Sequence, residues 1–239
     1  MTRTNAANKH YLVECHALMH VVATAAVGLD LKAGDWVVLR FKGCEDVGYV
    51  RAISDDAQAK AIAIRNADTD DLNRKKKIKS WEEEALEVFK KTVKKHELPM
   101  RVVGAHAWAD GRKVAFYFLS NSRLDFRKLH KEVGSALNCR VVIKQIGSRD
   151  HARLVGGLGP CGRALCCTSF LTELRPITLR TARRQNLFVN PEKISGMCGR
   201  LLCCLRYEDT PSAKSQFNYD DGEYSETDEA NFYSHEDDN

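Results

Sequence analysis

The 239-residue chain is 44% hydrophobic with a mean hydropathy of −0.40, enough apolar content for a packed core. It contains no 18-residue apolar run, which excludes a membrane-spanning helix and membrane insertion by that route. The net charge of +5 conceals an asymmetry: from Glu208 to Asn239 there are eleven acidic residues and one lysine, so the rest of the chain carries +15. A basic body with an acidic tail points to a polyanionic partner, with the tail competing for the same surface.

Residues 1–10 are polar and expected to be disordered. The apolar stretch from Leu12 to Leu29 contains Ala23-Thr24-Ala25, the form of a signal-peptide cleavage site. Glu14, His16 and His20 interrupt it, and no basic segment abuts a clean apolar core, so a cytoplasmic chain is expected. Nine cysteines in a reducing compartment then point to metal or redox chemistry rather than to disulfides.

Residues 11–65 read as a β-rich domain, a small barrel or sheet. Its strands are one near Tyr11 to Val22, Asp35 to Phe41 after a Gly34-Asp35 turn, Val47 to Ile53, and Ala59 to Arg65 with period-two alternation. Asp68 to Lys79 reads as a polar connection. Ser80-Trp81-Glu82-Glu83 has the form of a capping box, opening a helix with Trp81, Ala85, Val88, Phe89 and Val93 on one face. Met100 to Trp108 and Lys113 to Leu119 flank the hairpin signal Asp110-Gly111. A second helix opens at Asp125, with Phe126, Leu129, Val133 and Leu137 at helical spacing, and Cys139 to Ile146 returns as a strand.

With Ala59 to Arg65 as opening strand, residues 66–150 complete a ferredoxin-like β-α-β-β-α-β middle; that strand serves either this sheet or the N-terminal barrel. The fold class is therefore α+β. It is completed by a cysteine-rich module over residues 151–207 and an acidic, disordered tail over 208–239.

Six of the nine cysteines lie in two copies of one heptapeptide, 37 residues apart. The first is Cys161-Gly162-Arg163-Ala164-Leu165-Cys166-Cys167, the second Cys198-Gly199-Arg200-Leu201-Leu202-Cys203-Cys204. Thiolates are soft ligands that suit zinc, copper(I) or iron–sulfur clusters. Two ligands from each copy make four, enough for tetrahedral zinc or a four-iron cluster. The glycines let backbone amides approach sulfur, and Arg163 and Arg200 would offset thiolate charge. The spacing matches neither a zinc ribbon nor a bacterial ferredoxin, so it does not choose the metal. Cys15, Cys44 and Cys139 stand alone on strands and read as buried small hydrophobes.

Around the repeats run longer motifs. Gly156-Gly157-Leu158-Gly159-Pro160 precedes the first, Asn190-Pro191-Glu192-Lys193-Ile194-Ser195-Gly196 precedes the second, and Leu205-Arg206-Tyr207-Glu208 follows it. Upstream stand Phe116-Tyr117-Phe118, Arg123-Leu124-Asp125-Phe126-Arg127 and Gln145-Ile146-Gly147-Ser148-Arg149-Asp150, and further on Gln185-Asn186-Leu187. In these motifs the chain resembles, from about Tyr11 to Glu208, the bacterial RicT (YaaT) family with its PSP-one-type C-terminal domain. The resemblance implies a regulatory subunit that joins two small helical partners, RicA-like and RicF-like, in an iron–sulfur complex. That complex is associated with the messenger-RNA-processing endonuclease RNase Y and with developmental control. It also implies that some of Cys161, Cys166, Cys167, Cys198, Cys203 and Cys204 help ligate a 4Fe-4S cluster shared with partner chains.

Other constellations are weaker. Phe116 and Phe118 fall on one strand face and Tyr117 on the other; a core role outweighs base stacking on an RNA-recognition sheet. Basic clusters at Arg74, Lys75, Lys76 and Lys77, at Lys90 to Lys95, and at Arg180, Arg183 and Arg184 are candidates to follow a nucleic-acid backbone. The eight histidines show no metalloprotease spacing, and no serine elbow or P-loop occurs, so no enzyme is expected. Asp125 and Asp150, near Arg127 and Arg149, read as capping or pairing groups. The rival to the iron–sulfur regulator is a direct RNA- or DNA-binding protein with a structural zinc site; a thiol-redox enzyme is the third reading.

Overall fold

The structure is a computed structural model that describes residues 9–54, 58–122, 124–171, 176–185 and 190–209. The expected disorder of 1–10 and of the acidic tail falls almost entirely outside those residues. Contacts divide the chain into two units, Met1–Leu174 with Ser195–Arg200, and Arg175–Ile194 with Leu201–Asn239. Among the described residues no helix is long and apolar enough to cross a membrane.

The larger unit opens with five strands, β1 (His10–His16), β2 (Met19–Ala25), β3 (Trp36–Phe41), β4 (Cys44–Ser54) and β5 (Ala61–Asn66). They close a barrel in the order β1-β2-β5-β3-β4. The stretch expected as one strand near Tyr11 to Val22 is thus two, reversed between His16 and Met19, where His16 Nδ1 accepts the Leu18 amide at 3.3 Å. Alternation decides what fills the barrel: Tyr11, Val13, Val21, Ala23, Val37, Leu39 and Val50 point in. The barrel is narrow. A Cβ at Gly48 would stand 2.5 Å from Val13 Cγ1, so only glycine fits there.

That narrowness also settles the place of β5. Its inward residues are Ala61 and Ala63, small enough for a tight interior, and both of its edges are used, parallel to β2 and antiparallel to β3. The strand expected as a possible opening of the ferredoxin-like middle therefore closes the barrel. The second sheet has three strands, β6 (Arg101–Ala107), β7 (Lys113–Leu119) and β8 (Arg140–Gln145), in that order, with β8 parallel to β7. The mixed α+β class and the β-rich N-terminal part stand as expected.

Helix α1 (Thr69–Lys95) has its N-cap at Asp68, twelve residues before the cap expected at Ser80. Asp68 and Asp71 make the capping box instead: Asp68 Oδ1 accepts the Asp71 amide at 2.8 Å, and Asp71 Oδ2 accepts the Asp68 amide at 3.1 Å. Arg65 pairs with the buried Asp71 carboxylate and, with the Asp68 amide, holds it below the usual carboxylate range. The lysine-rich run is helix-compatible and continues the turn. Glu82, expected in a first turn, lies mid-helix and accepts the Ala107 amide at 2.7 Å.

Ala85, Phe89 and Val93 of α1 and Leu129 and Val133 of α2 (Arg127–Leu137) bury one face of the sheet, with Phe89 stacked on Phe116 at 4.1 Å. Asp125 precedes α2 as a pairing group: Arg127 lies 2.7 Å from its carboxylate and draws its pKa down to about 2. The other sheet face, with Tyr117, Ala115 and Trp108, is buried too. All three aromatics Phe116, Tyr117 and Phe118 are therefore interior, which removes the base-stacking reading of this strand.

Barrel and sheet are tied by buried polar groups. His106 Nε2 lies 2.9 Å from Asp46 Oδ2, both almost fully buried, and His16 stacks on Tyr117 at 5.5 Å and lies 4.9 Å from the His106 ring. The larger unit continues with α3 (Ser148–Val155) and α4 (Cys166–Ser169). The smaller unit holds α5 (Leu179–Arg184), α6 (Pro191–Ile194) and α7 (Cys203–Tyr207) around Ala182, Ile194, Leu201 and Leu205.

Candidate functional site

The sequence repeat is also a conformational repeat. In the first copy the Gly159 amide donates to Arg163 O at 2.8 Å and the Gly162 amide to Gly159 O at 3.0 Å. In the second, the Gly196 amide donates to Arg200 O at 2.8 Å and the Gly199 amide to Gly196 O at 2.9 Å. Gly162 and Gly199 have φ of 74° and 73°, a left-handed backbone that favours glycine. Leu165 and Leu202 both turn extended, at φ/ψ of −53°/129° and −54°/129°, and deliver Cys166 and Cys203 as the first residues of a short helix. The cysteine at the start of each copy thus opens a glycine turn, and the doublet opens a helical turn.

Surroundings separate the copies. At the single differing position Ala164 is exposed, whereas Leu201 is 3% exposed in the core of the smaller unit. One position after each doublet, Thr168 is half-buried and Leu205 is 2% exposed in that same core. Three positions after the doublets stand Phe170 and Tyr207, 54% and 63% exposed, an aromatic equivalence that the heptapeptide alone did not reveal.

Cys161, Cys166, Cys167 and Cys198 belong to the larger unit, Cys203 and Cys204 to the smaller. Cys161 is exposed, Cys167 buried, and the other four half-buried. Burial pushes the Cys167 thiol up; the guanidinium groups of Arg153 and Arg149 oppose that, and Cys198 adds to it. These two arginines on α3 were not among the expected charge-offsetting groups. Of the expected ones, Arg200 donates from Nε to Ser148 Oγ at 3.2 Å, passing over Gly147, where a Cβ would stand 3.0 Å from its guanidinium. Arg163 is exposed.

The donor set is soft and suits an iron–sulfur cluster or zinc. Among the described residues no three His, Cys, Asp or Glu side chains are grouped so as to hold a metal. Cys15 and Cys44 are buried in the cores, as expected of isolated thiols, and Cys139 is half-buried just before β8.

The basic candidates divide. Arg74, Lys76 and Lys77 are exposed on α1, but Lys75 turns to the barrel, donating to Cys15 O at 3.2 Å and to Val47 O. Arg180, Arg183 and Arg184 are exposed on α5, where Arg184 pairs with Asp209 at 2.5 Å. Asp209, whose side chain is 8% exposed, also lies 3.1 Å from Arg206.

Residues 61–146 match the PSP1 C-terminal conserved region, and residues 176–215 match the PSP1-like protein, third domain. A curated relative, the stage 0 sporulation protein YaaT of Bacillus subtilis (strain 168), is 44% identical over 145 residues, 61% of this chain and 53% of that protein. The match thus spans about half the length of that relative. No solved structure matches the chain.

Proposed function

The chain belongs to the YaaT/PSP1 family, and on that premise we propose that it is a non-catalytic regulatory subunit of an iron–sulfur protein complex. Its two cysteine loops supply thiolates to a 4Fe-4S cluster completed by partner chains, small helical RicA-like and RicF-like proteins. Through them the complex modulates RNase Y-dependent messenger-RNA processing in the cytoplasm of a bacterial cell. The observation that carries this reading is the repeated loop conformation, which presents Cys161, Cys166 and Cys167 in the same way as Cys198, Cys203 and Cys204.

A cluster of this kind, when bound, supplies a rigid, oxygen-sensitive junction between chains. What this chain does for it is local. The left-handed glycines turn the chain between the first cysteine of each copy and its doublet, the extended Leu165 and Leu202 aim the doublets, and Arg153 and Arg149 oppose the rise that burial imposes on the Cys167 thiol.

Anaerobic co-purification with the two partner proteins tests it. Brown protein holding iron and acid-labile sulfide, with colour lost when Cys161, Cys166 and Cys167 are replaced by serine, is the expected result. Colourless protein with stoichiometric zinc would sink the reading and favour the structural-zinc alternative.

A further inference from the structure

The first half of α1 runs along the outside of the barrel. Leu72 packs there against Val38 and Val47, and Lys75 is tied to the carbonyls of Cys15 and Val47. The same ammonium stands 5.1 Å from the centroid of the Trp36 ring. Trp36 lies opposite Tyr49 across β3 and β4, and the two rings meet edge-on with centroids 5.4 Å apart. Trp36 is nevertheless 39% exposed. An indole braced by a cation and a tyrosine, yet open to solvent on a rigid strand, is a preformed stacking surface. On either side of Lys75 in the helix stand the exposed Arg74, Lys76 and Lys77.

Two ingredients of single-strand recognition are therefore linked through Lys75: a fixed π surface that accepts any base, and the exposed basic segment of α1 for the phosphates. A barrel strand and a capped helix hold both, so little ordering is required on binding. A duplex keeps its bases stacked on one another and cannot use the indole, and an acidic peptide has phosphate-like charge but no base to stack. We propose that Trp36, backed by Tyr49, and the exposed Arg74, Lys76 and Lys77 of α1 form a binding site for single-stranded nucleic acid. One base lies on the indole and its neighbouring phosphates lie against the helix. Lys75 braces the indole and does not track the phosphates.

The test uses the full chain with labelled 12-mers of oligo(U) and oligo(dT), a 12-base-pair duplex, and poly-glutamate as competitor. Both single strands bind and quench tryptophan emission. Trp36→Phe retains binding but loses the quench, because the remaining Trp108 is buried and Trp81 partly so. Trp36→Ala weakens binding roughly tenfold. A Lys76→Glu, Lys77→Glu double variant flattens the dependence of log affinity on log salt by about 0.7 per lost phosphate contact. Tighter binding of oligo(U) than of oligo(dT), kept when oligo(dU) replaces oligo(dT), assigns the site to RNA through the 2′-hydroxyl, and equal binding assigns it to single strands of either kind. Quenching that persists in Trp36→Phe overturns the proposal even if Trp36→Ala does not fold. So does a duplex that binds as tightly as the single strands, or poly-glutamate that displaces them at equal charge. The cysteines take no part, so metal-free protein gives the same answer and failure here leaves the cluster reading untouched.

Discussion

The two cysteine loops share a backbone and differ in setting. The first stays within the unit built on barrel and sheet, whereas the second is divided after Arg200 between that unit and the small helical one. At the one position where the heptapeptides differ, the exposed copy has alanine and the buried copy has leucine. Glycine, leucine and the cysteine doublet therefore dictate local conformation, while the variable position answers only to what surrounds it. A repeat unit can be reused in this way when its conformation is set by short-range hydrogen bonds and its outward side chain is left to packing.

The largest test of that contrast exchanges the divergent residues. Leu201→Ala is expected to destabilise the smaller unit by about 2–4 kcal/mol, whereas Ala164→Leu costs about 0.5 kcal/mol or less. Amide exchange at Gln185, whose N–H is bonded to Ala182 O beside that core, and a thermal melt read the difference. Equal effects at the two positions would erase the distinction of setting.

Acid separates the units next. Burial, with the neighbouring His106 ring, lowers the His16 pKa to about 4 from 6.5. Between those values the unfolded chain binds a proton that the folded chain refuses, so this contribution is complete above pH 6.5 and lost as the pH falls to about 4. A decline of about 2–3 kcal/mol is expected for the larger unit over that window. The described part of the smaller unit contains no histidine, so its exchange protection should hold over the same range. His16→Gln should flatten the profile of the larger unit.

What the loops share predicts a smaller and symmetric effect. Gly162→Ala and Gly199→Ala each force a side chain into the left-handed region and cost about 1 kcal/mol, alike in both loops. Circular dichroism melts of the two single variants check the equality. The smallest test sets two capping boxes against each other. Asp68→Ala should cost about 1 kcal/mol because the cap is in use, and Ser80→Ala should stay within about 0.5 kcal/mol because Ser80 is exposed in mid-helix.

Much of the architecture was legible from periodicity. The inward residues of β1, the Ala85, Phe89 and Val93 face of α1, and the Leu129 and Val133 face of α2 all follow from alternation or helical spacing. The cysteine loops were legible as a repeat, and the positive-φ turns lie at their glycines. The start of α1 was misread because Ser80-Trp81-Glu82-Glu83 and Asp68-Thr69-Asp70-Asp71 are both sound local caps. Only continuity with the barrel, through Arg65 on Asp71, selects the earlier one. The basic run was legible as charge, but not that Lys75 alone among its members turns inward.

By itself the sequence determined whatever depends on neighbours within a few residues: strand alternation, the apolar faces of the helices, and the twice-written cysteine turn. Tertiary structure alone decided which sheet β5 joins, that Asp46 meets His106 from 60 positions away, and that Lys75 reaches Cys15 and braces Trp36. It also decided why Leu201 is not alanine. Short-range hydrogen bonds and spacing are written in consecutive residues, whereas burial and pairing between distant segments exist only once the chain has closed on itself.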